Sequence, residues 1–362
     1  MAYLHAIATA VPRHSISQPD TKVLSDHLGN TSGDQLRTTE AIYRKCGVER
    51  RGSVLIEKED GPVPERQSFY FPGHLDGNDP DGPSMRDRMA VYEKFAPELS
   101  RTSAKRAVDA GRYGVDDFAQ LVTISCTGFA SPGWEIGLVR DVLHPDVQRT
   151  HIGFMGCHAS FNGLRTASAL AEQAARPVLM TSCELCSVHH RYEWEPETTV
   201  ANALFADGSG SVVLSPEADG AIAEFVGSAS RVQPGTEKDM SWRLGNHGFV
   251  MTLSIEVPKV INRELRPWLD DWLAEHNLTV DQVAGWAIHP GGPRILAMAG
   301  ETLGISREEM AYSYDVLREN GNMSSATVLF ILEQMAGKVH GPVVGLGFGP
   351  GLTFEAFLLD FK

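Results

Sequence analysis

Apolar and polar positions change their spacing repeatedly along this chain, which divides it into alternating strands and helices. Residues 3–10 read as a short buried strand closed by Pro12, and 35–46 as a helix. From 58 to 84 proline, glycine and charge prevail without periodicity, which predicts a long loop. A helix follows from about Ser84 to Gly111, with Met89, Val91, Tyr92 and Phe95 among charges and Ala104, Ala107 and Ala110 beyond them. Strand Gln120–Ser125, helix 134–143 and strand 148–155 lead to Cys157. Leu164, Ala167, Ser168 and Ala171 then share one helical face, ending near Ala175, and Pro177 precedes strand 178–183.

Apolar runs on either side of Asp207-Gly208 predict two strands joined by a tight turn there. Pro216–Gly220 is a turn cluster and the expected boundary between halves 1–218 and 219–362. The second half reads as strands 221–230 and 248–254, a helix near 259–276, strand 285–289, a helix after Pro293, helix 323–336 and a hairpin over 343–359. No direct repeat is visible. Each half nevertheless runs strand, helix, strand and closes on a glycine-containing hairpin, which permits a duplicated α/β core.

A length of 362 residues, 42% hydrophobic and 22% charged, suits two domains or one two-lobed globule. The net charge of -14 argues against a nucleic-acid partner. One basic cluster stands out against it, Arg44, Lys45, Arg50 and Arg51, which is either a solvated helix end or a clamp for phosphates. Five cysteines do not suggest a disulfide framework, and a lone Cys183-x-x-Cys186 is weak support for zinc, so no metal is expected. The first residues do not look like a signal peptide and no apolar run is long enough for a membrane helix, so a cytoplasmic location with free thiols is expected.

Candidate chemistry begins at Gly156-Cys157, where an apolar run stops and a small-residue helix starts. A sulfur at such a bend faces the positive end of a helix dipole, which lowers its pKa; a small buried core cysteine is the plainer reading. His289 ends an apolar strand just before Gly291-Gly292, where α/β proteins place sites, though a satisfied core histidine fits as well. Asn322 has an obvious role as a helix N-cap. The loop from Gly347 to Leu352 is so rich in glycine that something must approach its backbone closely.

Taken together, Gly156-Cys157-His158-Ala159, Ile288-His289-Pro290-Gly291-Gly292-Pro293, Gly321-Asn322-Met323-Ser324-Ser325-Ala326 and Gly347-Phe348-Gly349-Pro350-Gly351-Leu352 resemble, in order and spacing, the type III polyketide synthases, the chalcone synthase family of the thiolase superfamily. The resemblance runs from about residue 3 to 360. It implies an α/β, thiolase-like five-layered αβαβα core of two similar halves, a homodimer, no permanently bound cofactor, and coenzyme A thioesters as substrates. It implies Cys157 as nucleophile, with His289 and Asn322 completing the site and Phe205 as a gatekeeper. Cys126, Cys186, His189, Trp242, Met251, Ser324, Gly349 and Pro350 are then expected around the substrate. Arg44, Lys45, Arg50 and Arg51, with Gly291 and Gly292, are expected around coenzyme A.

The residue types suit that chemistry. A thiol can hold an acyl starter as a thioester exchangeable with coenzyme A, and His289 can hold Cys157 as a thiolate in an ion pair. Malonyl-CoA then loses carbon dioxide, and His289 and Asn322 can donate to the enolate oxygen. Decarboxylation supplies the carbanion, so no carboxylate base is needed. Trp242 stands where plant members have glycine, and Met251 where they have a second gatekeeper phenylalanine. The segments Cys183–Ser187 and Met240–Trp242 resemble bacterial members that make alkylpyrones and alkylresorcinols. An acyl starter with few extensions is the expectation. Three other readings compete: a single-condensation ketoacyl synthase III, a papain-like cysteine protease, and a non-catalytic thiolase-fold partner subunit.

Overall fold

The computed structural model describes residues 1–29, 31–70 and 81–362; positions 71–80 of the expected long loop lie outside the described residues. The first half contains β1 (Ala2–Ala10), β2 (Ser15–Ser17), α1 (Gln18–Gly29), α2 (Asp34–Lys45), β3 (Arg50–Gly52), α3 (Met85–Ala110), β4 (Gln120–Ser125), α4 (Glu135–Asp141), β5 (Gln148–Gly153), α5 (Ala159–Ala174), β6 (Val178–Leu185), α6 (Pro196–Leu204) and β7 (Asp207–Ser215). The rest comprises β8 (Ala223–Val232), β9 (Met240–Gly245), β10 (Gly248–Leu253), α7 (Val257–Glu275), β11 (Gly285–Ile288), α8 (Pro293–Leu303), α9 (Ala311–Asn320), α10 (Thr327–Met335), β12 (Gly341–Gly349) and β13 (Thr353–Phe361).

Nine strands follow one another in the order β11-β12-β13-β8-β1-β7-β6-β4-β5. The order repeats in the two halves. β4 and β6 are parallel, β7 is antiparallel to β6, and β1 antiparallel to β7. Likewise β11 and β12 are parallel, β13 is antiparallel to β12, and β8 antiparallel to β13. A three-residue pairing of Ala2–Leu4 with Ala223–Phe225 joins the two sets.

Strand alternation sorts side chains into three cores, which define the layers. Val122, Ile124, Val212, Phe357 and Leu359 point inward onto α5 and α10, which lie between the two sets of strands. Their sequence neighbours Leu121 and Val213 face α3 on one outer side. Val344, Leu346, Phe354 and Leu358 face α7 and α8 on the other. The succession α3, strands, α5 with α10, strands, α7 with α8 makes the five layers of a thiolase-like α/β fold.

One expected turn is absent. Asp207-Gly208 opens the continuous strand β7, and Ala203 and Leu204 end α6. The dipeptide answers to tertiary contacts rather than to a bend. The Asp207 carboxylate accepts from Val54 N–H (2.8 Å), Ser187 N–H (2.7 Å) and the Ser187 hydroxyl (2.6 Å). A methyl group on Gly208 would meet the Met323 sulfur at 2.3 Å.

The glycine-rich strand β12 meets the expectation of close approach. A Cβ at Gly347 would come within 2.6 Å of the Phe161 ring, and one at Gly349 within 1.6 Å of the His158 ring. β12 is thus a mould for the start of α5, and it fixes the height of the turn before that helix, which contains Cys157.

Candidate active site

Three segments bring the candidate residues together. After β5, Phe154 (φ 60°) and Gly156 (φ 88°) turn the chain sharply, and Cys157 precedes the α5 cap residue His158. The turn is clamped from both sides. Gly156 N–H donates to the Cys126 sulfur at 3.0 Å, the Cys126 thiol donates to Gly156 O at 3.4 Å, and a methyl on Gly156 would meet Pro350 Cδ at 2.4 Å. Cys126 is therefore a strut under the Cys157 turn; like Cys157, His289 and Asn322, it lines neither cavity described below. Gly349 and Pro350 act in the same place, as backing for His158 and Gly156.

Asn322 follows α9 and bridges to Phe205: its N–H donates to Leu204 O (2.8 Å) and its carbonyl accepts from Ala206 N–H (2.9 Å). The Asn322 Oδ1 accepts from Ser324 N–H (2.8 Å) and the Thr327 hydroxyl (3.4 Å), starting the turn into α10. The capping role and the site role are thus compatible. With Oδ1 spent on the cap, the NH₂ group remains free to act on Cys157, whose pKa the Asn322 side chain lowers. The Ser324 hydroxyl also donates to the Cys157 sulfur, at 3.8 Å.

His289 leaves the end of β11, its N–H held by Leu346 O (2.8 Å). The ring is 1% exposed and neither nitrogen has a hydrogen-bond partner. It faces His158, the residue after Cys157, and makes no hydrogen bond to Cys157 itself.

Electrostatics here depart from expectation. Burial pushes the Cys157 thiol up to about 11, opposed by the Ser324 and Asn322 hydrogen bonds and reinforced by the Glu184 carboxylate. Burial, with the nearby His158, pushes the His289 imidazole down to about 3. Both shifts run against the lowered cysteine pKa and the resting ion pair expected above: burial favours a thiol on Cys157 and a neutral His289, opposing the helix dipole. Alkylation of Cys157 by iodoacetamide should then keep rising from pH 7 to 10 in the substrate-free protein, since the thiolate fraction grows as pH approaches the raised pKa. A plateau below pH 8, followed by peptide mapping, would point to the ion pair instead.

Sequence reasoning passed over Glu184, which lies within the Cys183–Cys186 segment. It is fully buried, accepts from Cys126 N–H (2.9 Å), the Thr127 hydroxyl (2.7 Å) and the Ser325 hydroxyl, and has its pKa raised by that burial. A carboxylate between Cys183 and Leu185, at the end of a strand that begins with an apolar run, was the available signal.

Two cavities flank the site. The first, a narrow cleft open to solvent, is lined by Phe205, Cys186, His189, Trp242 and Met251, all expected there, and by Leu24, Leu28 and Ile56 farther out. Trp242 pairs with Met251 across the β9–β10 hairpin, donates from Nε1 to Cys126 O (3.0 Å), and stacks obliquely on Phe205 at 5.8 Å. The second, about 1440 Å³ including open solvent, is an apolar channel lined by Ile42, Val200, Leu253 and Ile255, with Lys45, Gly291 and Gly292 at its wall. Arg294 joins them, a cation the sequence reading missed.

The basic cluster does not converge on that channel. Arg44 is exposed, and Arg50 is exposed and donates to Ser15 Oγ at 2.6 Å; neither lines the channel. Arg51 is corrected outright. It is 3% exposed and donates to Asn202 O (2.9 Å), Phe205 O (2.8 Å), Ala203 O (2.5 Å) and Gln18 Oε1. The unpaired carbonyls at the C-terminal end of α6, with Gln18, claim both terminal nitrogens of this guanidinium, and its remaining Nε–H is buried, out of reach of a phosphate.

Residues 1–218 match the model for chalcone and stilbene synthases, N-terminal domain, and residues 224–361 that for the C-terminal domain. An alpha-pyrone synthesis polyketide synthase-like protein, Pks18 of Mycobacterium tuberculosis, is 29% identical over 99% of this chain and 91% of its own length. The 1,3,6,8-tetrahydroxynaphthalene synthase of Streptomyces peucetius is 29% identical over 98% of this chain and 92% of its own. Among solved structures, PKS-I of the brown alga Ectocarpus siliculosus superposes with a TM-score of 0.90 at 28% identity, covering 100% of this chain and 98% of that one.

Proposed function

We propose that this chain, which belongs to the chalcone and stilbene synthase family and is a type III polyketide synthase, loads an acyl starter onto Cys157 and extends it with malonyl-CoA. The reading is carried by one observation: the Cys157 thiol meets the Asn322 amide and the Ser324 hydroxyl where the two central helices begin. The acyl-CoA carbonyl carbon is attacked by the Cys157 sulfur, whose proton passes to the neutral His289 ring, and coenzyme A leaves as its thiol. Malonyl-CoA then breaks its C–CO₂ bond, and the electron pair becomes an enolate. The free His289 ring N–H and the Asn322 NH₂ donate to the developing oxyanion, each such donor being worth ~3–4 kcal/mol in a dry site. The enolate carbon attacks the carbonyl of the Cys157 thioester and displaces the cysteine sulfur, giving a longer coenzyme A thioester; the freed sulfur then attacks that thioester, the chain returns to Cys157, and coenzyme A leaves, taking up a proton as its thiol.

The second cavity suits the entry of coenzyme A thioesters, with Lys45 and Arg294 available to their phosphates. The apolar side of the first cavity, at Leu24, Leu28 and Ile56, suits an alkyl tail. An alkylpyrone or alkylresorcinol product fits that wall, and a pyrone accords with the printed function of the mycobacterial relative. A ketoacyl synthase III would share the fold but not the family match. A papain-like protease fits neither, and a non-catalytic partner would not keep all three residues.

We place the division of the halves at 218/219 and the protein in the cytoplasm; among the described residues no helix is long and apolar enough to cross a membrane. A homodimer is also part of the reading. Strand β5 is an unpaired sheet edge with exposed residues along it, and Phe154 and Met155 beside it are 43% and 41% exposed. A second copy would cover such an edge.

The test is incubation with malonyl-CoA and a panel of acyl-CoAs, reading products by mass. Polyketides from medium or long acyl starters are expected, and their absence with every starter would end the proposal. Trp242→Ala should lengthen the product by at least one two-carbon unit, because removing the indole enlarges the first cavity. An unchanged product mass would show that Trp242 does not limit the chain.

A further inference from the structure

The first cavity holds polar atoms that acyl transfer does not use. His189 is 6% exposed and lines it. Its Nε2–H donates to Thr127 O at 2.6 Å, which puts the ring proton on Nε2 and leaves Nδ1 an acceptor. Nδ1 has no partner. The ring cannot swing to find one, because it stacks on Phe249 with centroids 4.1 Å apart and planes at 21°, with Trp242 edge-on. Burial pushes the imidazole down to about 3, so it stays neutral at any working pH. Gln67, 3% exposed in the same cavity, accepts from Tyr70 N–H through Oε1 (3.0 Å) and has no partner for Nε2. A purely alkyl occupant would leave one acceptor and one donor buried and unpaired.

We propose that this part of the cavity is a hydroxyl-recognising subsite, in which His189 Nδ1 accepts the hydrogen of an enol or phenol on the growing chain and Gln67 Nε2 donates to a chain oxygen. The assignment rests on the polyketide reading above. A β-keto chain in its ketone form offers only acceptors, which His189 cannot bind. Enolisation breaks one α-C–H bond and forms one O–H bond without change of oxidation state, and it creates the donor that His189 requires. His189 is thus a specificity-determining residue that favours the planar, conjugated form of the chain from which rings close.

The test is binding of 5-pentylresorcinol, which is neutral at pH 7 and keeps its O–H groups, against its dimethyl ether, measured by calorimetry on the full chain. The wild type should prefer the resorcinol about tenfold. His189→Phe, which keeps a stacking ring but no acceptor, should bring that preference close to one. His189→Gln, which restores an oxygen acceptor and serves if the Phe variant does not fold, should recover much of it. Gln67→Leu should weaken both probes alike, by a few-fold. Equal affinity of the wild type for the two probes, or a preference that survives in His189→Phe, would overturn the proposal. Because the ratio needs no turnover, a chain that makes no polyketide yet keeps the His189-dependent preference would remove only the functional reading.

Discussion

Cys157→Ala is expected to yield a folded protein that takes no acyl group from acyl-CoA and releases no polyketide, a loss of ~10⁴-fold or more. The size follows from the mechanism: without the sulfur there is no covalent carrier, and no other described side chain in the site can replace it. Cys126 is the nearest alternative thiol, but it is 3% exposed, bonded to Gly156, and burial raises its pKa well above the ordinary value. Intact-protein mass after exposure to acyl-CoA checks this directly, with one acyl increment on the wild type and none on the variant. An increment on the variant, mapped to another residue, would transfer the role of nucleophile there.

Asn322→Ala has the second largest expected effect, and a divided one. Malonyl-CoA decarboxylation should slow ~10²–10³-fold through loss of an oxyanion donor. Acyl loading should fall by less than tenfold, because the thiol and His289 remain. The same substitution removes the acceptor for Ser324 N–H, which should also cost ~1 kcal/mol of stability. Asn322→Asp separates the two roles: its carboxylate can still cap the turn but cannot donate to an oxyanion. Urea unfolding near that of the wild type, with decarboxylation as slow as in the Ala variant, is the expected pair of results. Equal losses of loading and decarboxylation in the Ala variant would contradict the assignment.

Much of the framework was legible because strand alternation and helical spacing carry it. Leu121 beside Val122 and Val343 beside Val344 face different cores, as the alternation of side chains along any strand requires. The need for close approach at Gly347 and Gly349 was equally readable, since few other circumstances call for so many glycines in one hairpin. What escaped depends on depth and on distant partners. The Asp207-Gly208 pair carries a turn signature, yet Ser187, Val54 and Met323, all remote in sequence, hold it in a strand. Helix α6 was hidden behind that misreading. Arg51 is indistinguishable in sequence from Arg50, and only the α6 carbonyls separate their fates. The Cys157 pKa shows the same limit, because a helix start can be read from sequence while the burial that dominates it cannot.

The contact between β12 and the cysteine turn has a consequence for how such a chain can evolve. One half contributes the sulfur and the other shapes the groove in which the sulfur's helix is seated, with clearances too small for a methyl group. Neither half can therefore drift, be traded or be lost alone without dismantling the seat of the other.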